Sequence, residues 1–242
     1  MDVKPYQQEG SKKQQVTEMF DNIAGKYDLL NRVLSLGIDT IWRKKAINKI
    51  APLKPQQILD VATGTADVAI EMAKRLQPKQ IIGLDISKEM LAVGQTKIER
   101  KEVDHIIELT RGDSEQLPFE DNRFDAITVA FGVRNFENLK KGMREMNRVL
   151  RPGGRLVVLE FSKPTVFPLK QGYNFYFKNI LPNIGRFTSK DPKAYTYLYE
   201  SVQAFPDGTD FIQVMKETGY HNPHQQTLTA GICSIYTGDK KR

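Results

Sequence analysis

A chain of 242 residues with 40% hydrophobic and 27% charged residues predicts one α/β domain with a packed core, rather than a disordered or fibrous protein. The single cysteine, Cys233, excludes an internal disulfide and a cysteine-based zinc site, and the polar N-terminus lacks the apolar stretch of a secretory signal. We therefore expect a cytoplasmic, metal-free protein. The net charge of +7 fits an acidic ligand, an anionic membrane or nucleic acid, but a solvated surface explains scattered lysines equally well.

The N-terminal quarter predicts a helical cover over residues 1–54. Residues 1–15 are polar, and we expect them to be disordered. Apolar residues at helical spacing over 16–27 predict one helix, and those over 39–50 predict another. Two prolines then separate this part from the main fold.

From residue 57 onward, strand patterns alternate with helix patterns. The predicted strands are QILDVA, QIIGLDI, IIELTRGD, FDAITVAF and RLVVLEF, and the predicted helices cover residues 66–76, 87–101 and 138–150. Such alternation indicates a parallel, doubly wound sheet. A helix over 208–218 then precedes two strands joined at Ala230 and Gly231, which predict an antiparallel hairpin. Seven strands with this hairpin are typical of the Rossmann-like class I S-adenosylmethionine-dependent methyltransferase fold, more than of a dehydrogenase.

We therefore predict one methyltransferase domain over residues 1–242, with additions to a central core. The core covers residues 56–161, an aromatic insertion after strand 5 covers 162–204, and the last helix and hairpin cover 205–242.

The turn after the first strand, DVATGTAD, indicates which nucleotide binds. Dinucleotide binding needs G-x-G-x-x-G, and only Gly64 is present, so pyrophosphate recognition is poorly supported. S-adenosylmethionine has no phosphate and tolerates this turn. Asp85, at the end of the second strand, is placed to accept hydrogen bonds from ribose hydroxyls, although capping the next helix explains it as well when it is taken alone. Asp113 and Ser114, after the third strand, are expected beside the adenine.

Five segments resemble the ubiquinone/menaquinone biosynthesis C-methyltransferase family. They are YDLLNRVLSLGIDTIWR (27–43), LDVATGTAD (59–67), GLDISKEML (83–91), GDSEQLPFEDNRFDAITVAFGVRNF (112–136) and RVLRPGGRLVVLEFSKP (148–164). The similarity extends from about residue 16 to the C-terminus. It implies S-adenosylmethionine contacts at Thr65, Asp85, Asp113 and Ser114, to which we add Gly64 and Asp60 as candidates.

The resemblance also implies the acceptor, a polyprenyl hydroquinone. The expected reaction converts demethylmenaquinol to menaquinol; the alternatives are C-methylation of the 2-polyprenyl-6-methoxy-benzoquinol precursor of ubiquinone, or both reactions. Another small-molecule methyltransferase is a weaker alternative. The family usually has His three residues before the tryptophan of its first signature, where this chain has Asp39, so an acid–base role at this position is left open.

The resemblance makes Arg134 and Asn135 candidate catalytic residues on the acceptor side. Arg134 would stabilise a phenolate, and because it is always charged it is a poor general base. The alternative is a structural arginine paired with Glu137 or Glu160.

Asp28 and Asn31, in the N-terminal cover, are further catalytic candidates. For these two residues the alternative role is helix capping.

Residues 162–204 combine aromatic side chains with an excess of cations. The cations are Lys163, Lys170, Lys178, Arg186, Lys190 and Lys193. This combination suits a flap that guides a lipid substrate and contacts an anionic membrane surface. We expect that contact to be peripheral and to lie at the inner face of the cell membrane. The alternative is an aromatic mini-core or a homodimer contact.

Two other function classes compete. A nucleic-acid methyltransferase fits the charge, but an amino-directed enzyme carries Asn/Asp-Pro-Pro-aromatic after strand 4, where this chain has AFGVRNF, and Cys233 lies in the predicted hairpin. We therefore expect no nucleic-acid partner. A binding module without catalysis would not need the intact cofactor positions, and measurable turnover of S-adenosylmethionine would exclude it.

Overall fold

The structure is a computed structural model that describes residues 3–6, 8–35, 37–164, 171 and 193–242. Most of the predicted flap, including Lys170, Lys178, Arg186 and Lys190, lies outside the described residues, so the boundaries drawn for it stay a prediction. Within the described part of the chain, no helix is both long and apolar enough to span a bilayer.

The described elements follow the predicted order. The strands are β1 (Gln57–Val61), β2 (Gln80–Asp85), β3 (Ile107–Arg111), β4 (Phe124–Ala130), β5 (Leu150–Phe161), β6 (Tyr220–Leu228) and β7 (Cys233–Lys240). The α-helices are α1 (Lys12–Ile23), α2 (Tyr27–Leu34), α3 (Asp39–Ile47), α4 (Asp67–Leu76), α5 (Lys88–Arg100), α6 (Leu139–Val149), α7 (Lys193–Ala204) and α8 (Thr209–Glu217).

The seven strands form one sheet in the order β3-β2-β1-β4-β5-β7-β6. Strands β1 to β5 are parallel, and β7 is antiparallel to both β5 and β6. This confirms the predicted class I methyltransferase fold with its terminal hairpin. The strand order reverses between β1 and β4, and in open α/β sheets the ligand binds beyond the carboxyl ends of the strands at such a point.

Apolar clusters on both faces hold the sheet rigid. On β1, Ile58 packs with Trp42 and Ile47 from the N-terminal cover, whereas Leu59 on the opposite face packs in the cluster that contains Met143. A parallel strand is buried on both faces, so alternate residues pack into two different apolar clusters. The strand ends are therefore fixed supports for the loops that follow them.

The prediction that residues 1–15 are disordered is wrong for the described residues of this segment. Helix α1 begins at Lys12, and Ser11 and Gln14 form a capping box at its start. Tyr6 is buried, and its backbone N–H donates to Gln15 Oε1 at 3.0 Å. The polar residues that suggested disorder are instead the capping and bracing groups of this segment.

Helix α1 is also anchored to the loop after β4. Lys12 is buried and its ammonium donates to the backbone oxygens of Arg134 at 3.2 Å and Phe136 at 3.0 Å. The single helix predicted over residues 16–27 is in fact α1, a 3-10 turn at Ala24–Lys26 and the start of α2. This break lets the cover bend over the strand ends.

Candidate functional site

Two cavities meet at the carboxyl ends of the central strands. The first cavity, of about 680 Å³, has Gly64, Asp85 and Asp113 in its wall, and the second, of about 750 Å³, is lined mainly by apolar side chains. Four residues line both cavities: Phe20, Tyr27, Phe131 and Asn135.

The turn after β1 has an unusual backbone. Ala62, Gly64 and Ala66 all have positive φ, of 53°, 57° and 64°. Glycine adopts this conformation freely, but each alanine costs about 1 kcal/mol or more. The Gly64 N–H is held by the carboxylate of Asp85, at 2.8 Å from Oδ2. A strained turn fixed in this way is a recurrent feature of binding sites.

Asp85 links the turn after β1 to the turn after β2. Its other oxygen, Oδ1, accepts a hydrogen bond from the Ser87 N–H at 2.9 Å. Helix α5 is capped by the Ser87 hydroxyl, which accepts from the Met90 N–H, so the role of Asp85 is not that of the helix cap. Burial raises the pKa of Asp85, and the N–H groups of Ser87 and Gly64 oppose the rise. The carboxylate keeps acceptor capacity toward the first cavity.

The wall opposite Gly64 is formed by the loop after β3. Asp113 and Ser114 both line the first cavity, as the sequence predicted. The ammonium of Lys13, on α1, lies 2.7 Å from Asp113 and 3.3 Å from Glu115. The N-terminal cover therefore closes this side of the first cavity with a salt bridge.

Three predicted site residues lie outside the linings of both cavities. The oxygens of Asp60 accept hydrogen bonds from the hydroxyls of Thr63 at 2.7 Å and Thr128 at 2.5 Å. The hydroxyl of Thr65 donates to Asp28 Oδ1 at 2.5 Å. Asp60 and Thr65 line a smaller cavity behind the Gly64 turn. The structure gives these side chains bracing contacts, and direct ligand contact at Asp60, Thr65 and Asp28 stays a prediction.

A chain of ion pairs joins the cover to the core. Lys97 of α5 contacts Asp28 of α2, at 2.6 Å, and also Asp67 of α4. Arg43 of α3 lies 2.5 Å from Asp67 and 3.1 Å from Asp39. Sequence reasoning did not predict this ion-pair chain, because its members are spread over four helices.

The second cavity is apolar on most of its surface. Its apolar wall includes Met19, Phe20, Ile23, Phe131, Phe161, Ala194 and Leu198. Its polar side includes Asn31, Ser35, Asp39, Arg134 and Asn135. Among the described residues, no hydrogen-bond partner is found for the buried Oδ1 of Asn135. Buried polar atoms are normally bonded, so this atom is a candidate for bonding a polar ligand.

Arg134 makes the structural ion pair that the sequence allowed, and it also lies at the wall of the second cavity. Its guanidinium donates to Glu160 Oε1 at 2.7 Å and to the backbone oxygen of Phe131 at 2.6 Å, and it also lines the second cavity. Its predicted structural partner is therefore Glu160 and not Glu137. Glu160 is fully buried; burial raises the pKa of its carboxyl group, and the charge of Arg134 opposes the rise. The pair fixes the arginine at the cavity wall.

Phe131 and Tyr27 are site residues that sequence reasoning missed. Phe131 has a φ of 59°, which is rare for a bulky residue, and its ring lies 4.7 Å from that of Phe161. Tyr27 lines both cavities, and burial raises its pKa. Tyr27 begins one of the quoted signatures and Phe131 lies within another, and this was the available signal for both.

A model described as the ubiE/COQ5 methyltransferase family matches residues 8–240. A demethylmenaquinone methyltransferase of Bacteroides fragilis is 51% identical, covering 98% of this chain and 97% of the relative. A ubiquinone/menaquinone biosynthesis C-methyltransferase of Geotalea daltonii is 46% identical, covering 95% and 97%. The solved structure of a SAM-dependent methyltransferase from Thermotoga maritima matches with a TM-score of 0.65 at 17% identity, covering 93% and 99%, and this likeness shows the fold alone.

The buried Asp60 predicts a pH dependence of stability. Burial raises its pKa to about 6, although the hydroxyls of Thr128 and Thr63 oppose the rise. The folded chain thus holds this proton more tightly than the unfolded chain, whose aspartate pKa is about 3.9. The free energy of unfolding contributed by Asp60 therefore falls as pH rises from about 4 to 6, by on the order of 2 kcal/mol.

Urea unfolding of the wild type and of Asp60→Asn across this pH range measures the effect. We expect the stability difference between the two proteins to change with pH, moving in favour of the variant at the upper end. Parallel curves would show that Asp60 does not titrate in this window.

Proposed function

The chain belongs to the ubiE/COQ5 methyltransferase family, and on that premise we propose that its methyl acceptor is the hydroquinone ring of demethylmenaquinol. It is an S-adenosylmethionine-dependent methyltransferase. The name of the Bacteroides fragilis relative supports demethylmenaquinol as the acceptor. The name of the Geotalea daltonii relative covers ubiquinone biosynthesis too, so methylation of the benzoquinol precursor remains the alternative.

The observation that carries the proposal is the junction of two unlike cavities. The first cavity presents an acid and a tight backbone turn at the strand ends, and the second is apolar with a few polar groups. A polar nucleoside suits the first, and a prenylated aromatic ring suits the second. Tyr27 and Asn135 belong to both walls, so ligands in the two cavities would meet there.

The residues of the first cavity fit S-adenosylmethionine. The carboxylate of Asp85 can accept hydrogen bonds from ribose hydroxyls. The turn at Gly64 brings backbone to the cavity but lacks the further glycines that pyrophosphate binding requires. Asp113 and Ser114 line the opposite wall, where the adenine is expected. When bound, this group would supply an electrophilic methyl on sulfur for transfer to a ring carbon, with S-adenosylhomocysteine as the leaving group.

The chain's own residues make the ring carbon a nucleophile and keep it in place. A neutral quinol carbon is weakly nucleophilic, and a negative charge on the neighbouring oxygen raises its electron density. Arg134 is a fixed cation at the wall of the second cavity, where it would stabilise that oxygen. The unpartnered Oδ1 of Asn135 is available to orient a ring hydroxyl, and Asn31 lines the same cavity. The apolar wall limits the access of water.

Parallel methyl-transfer assays test the proposal. Labelled S-adenosylmethionine is incubated with reduced, short-chain demethylmenaquinol and, separately, with the matching benzoquinol precursor. We expect transfer to the naphthoquinol at the higher kcat/KM. Transfer only to the benzoquinol would establish the alternative, and transfer to neither would refute the proposed acceptor class.

Asp85→Ala is expected to weaken S-adenosylmethionine binding at least about tenfold, because a hydrogen bond to a charged group contributes about 1.5–3 kcal/mol. Calorimetry measures the affinity. The matched control is Asp21→Asn, since Asp21 accepts from the Ser87 hydroxyl beside the same turn but does not line the first cavity. Unchanged affinity in Asp85→Ala would remove Asp85 from the ribose site.

We also propose reversible contact with an anionic membrane, since a polyprenyl acceptor must leave the bilayer. The support is the composition of residues 162–204 and the exposed apolar side chains of Leu29 and Ile41 on the cover. One predicted cation contributes little, because Lys163 is paired with Asp207 at 2.8 Å. Each basic residue near an anionic surface contributes about 1 kcal/mol, so a few suffice for weak attachment.

Vesicle co-sedimentation tests this contact. We expect binding to anionic but not to neutral vesicles, with loss near about 0.5 M salt. Substituting Lys170, Lys178 and Lys190 together by alanine should abolish it, and substituting Lys74, Lys79 and Lys101 should not, although the same charge is removed. Equal binding of both triple variants would refute the membrane role of the flap and favour the mini-core or homodimer alternative.

A further inference from the structure

One carboxylate belongs to the described lining of the second cavity, that of Asp39 at the start of α3. It is buried, with a residue exposure of 5%. Its Oδ1 accepts a hydrogen bond from the Ser35 hydroxyl at 2.7 Å, and its Oδ2 lies 3.1 Å from Arg43 Nη2. An unpaired carboxylate would be costly in an apolar cavity, and these two contacts offset that cost.

We propose that Asp39 is the catalytic base that takes the proton from the hydroxyl of the acceptor ring, an inference that rests on the proposed function. In this step the O–H bond of the ring hydroxyl breaks, and its electron pair stays on the ring oxygen. A new O–H bond forms on the carboxylate of Asp39. After the ring carbon gains the methyl group, its own hydrogen leaves as a proton to water. The ring oxygen then regains its proton from Asp39, so one proton is released per turnover.

The neighbouring groups are poorly suited to this role. Arg134 is a permanent cation and does not accept a proton. The oxygens of Glu160 accept from the Arg134 guanidinium and from the backbone N–H groups of Phe161 and Arg134, and Glu160 does not line the cavity. Asp28 is likewise outside the lining and is bound by Lys97 and Thr65.

Asp39 and Arg134 are complementary in charge and position. Both line the second cavity, so one can remove the proton while the other stabilises the oxygen that remains. In the described lining of the second cavity the other titratable side chains are Tyr27 on α2 and Tyr197 on α7, and Arg43 contacts Asp39 from its own helix. Ser35 is a positioning residue, because its hydroxyl orients the carboxylate.

The first test compares two isosteric substitutions, each of which removes the carboxylate partner of an arginine. Asp39→Asn removes the carboxylate in the cavity, whereas Asp239→Asn removes the partner of Arg155, which lines neither the first nor the second cavity. General-base catalysis contributes about 10²–10⁴-fold, so we expect kcat on short-chain demethylmenaquinol to fall at least about 100-fold in Asp39→Asn. We expect Asp239→Asn to stay within about threefold. The calorimetric affinity for S-adenosylmethionine should change little in Asp39→Asn.

A pH profile separates proton transfer from structural support. Asp39→His replaces one base with another whose ordinary pKa is about 6.5, and Asp39→Glu keeps a carboxylate with an ordinary pKa of about 4.3. We expect both variants to recover part of the kcat that Asp39→Asn loses. The kcat profile of Asp39→His should have an acidic limb near pH 6.5 that the Asp39→Glu profile lacks.

Wild-type turnover of the quinol is measured first, so that failure of the proposed function is recognised separately. Given an active wild type, the proposal is overturned if Asp39→Asn keeps more than about one-tenth of kcat, since a general base contributes more than that. Similar losses in Asp39→Asn and Asp239→Asn would also overturn it, because they would assign the effect to the loss of an arginine ion pair and not to the loss of a base. If Asp39→Asn does not fold, the His and Glu profiles decide, and identical profiles would contradict proton transfer at residue 39.

Discussion

The ion-pair chain through Asp28, Lys97, Asp67 and Arg43 is the interaction on which the rest of the site depends. The sheet alone provides only the floor of the site, at the carboxyl ends of its strands. The ion pairs fasten α2 and α3 above that floor. They thereby hold Tyr27 and the other residues that these two helices contribute to the second cavity. Because the pairs are partly shielded from solvent, they hold the cover more firmly than exposed pairs would.

The loops that follow β1 and β4 contain strained backbone, in contrast to the rigid sheet that supports them. Ala62 and Phe131 hold positive φ angles at the ends of β1 and β4, the two strands between which the sheet order reverses. The buried β-strands and the Arg134–Glu160 pair oppose relaxation of these loops. The strained backbone therefore lies at the junction of the two cavities.

The alternation of strands and helices was sufficient to predict the sheet, because its parallel strands are continuous apolar runs and its helices have clear ends. It also placed Asp85 and Asp113 correctly beside the first cavity, since both follow directly from strand ends. The disorder predicted for residues 1–15 failed because a polar segment can be ordered by caps and by one buried lysine, Lys12. Periodicity does not report the contacts of Lys12, which join residues more than one hundred positions apart.

Sequence reasoning was weakest at predicting the bonding partners of individual side chains. Asp60, Thr65 and Asp28 lie in or beside the predicted motifs, yet their oxygens bond to neighbouring side chains, and Asp60 and Thr65 line only the smaller cavity. The most direct measurement of the central claim is a crystal structure with S-adenosylhomocysteine and a short-chain demethylmenaquinone bound together. The nucleoside should contact Asp85, and the naphthoquinone ring should lie in the second cavity, with its unmethylated carbon facing the sulfur between Tyr27 and Asn135. A ring bound elsewhere, with the second cavity closed, would contradict the assignment of the two cavities.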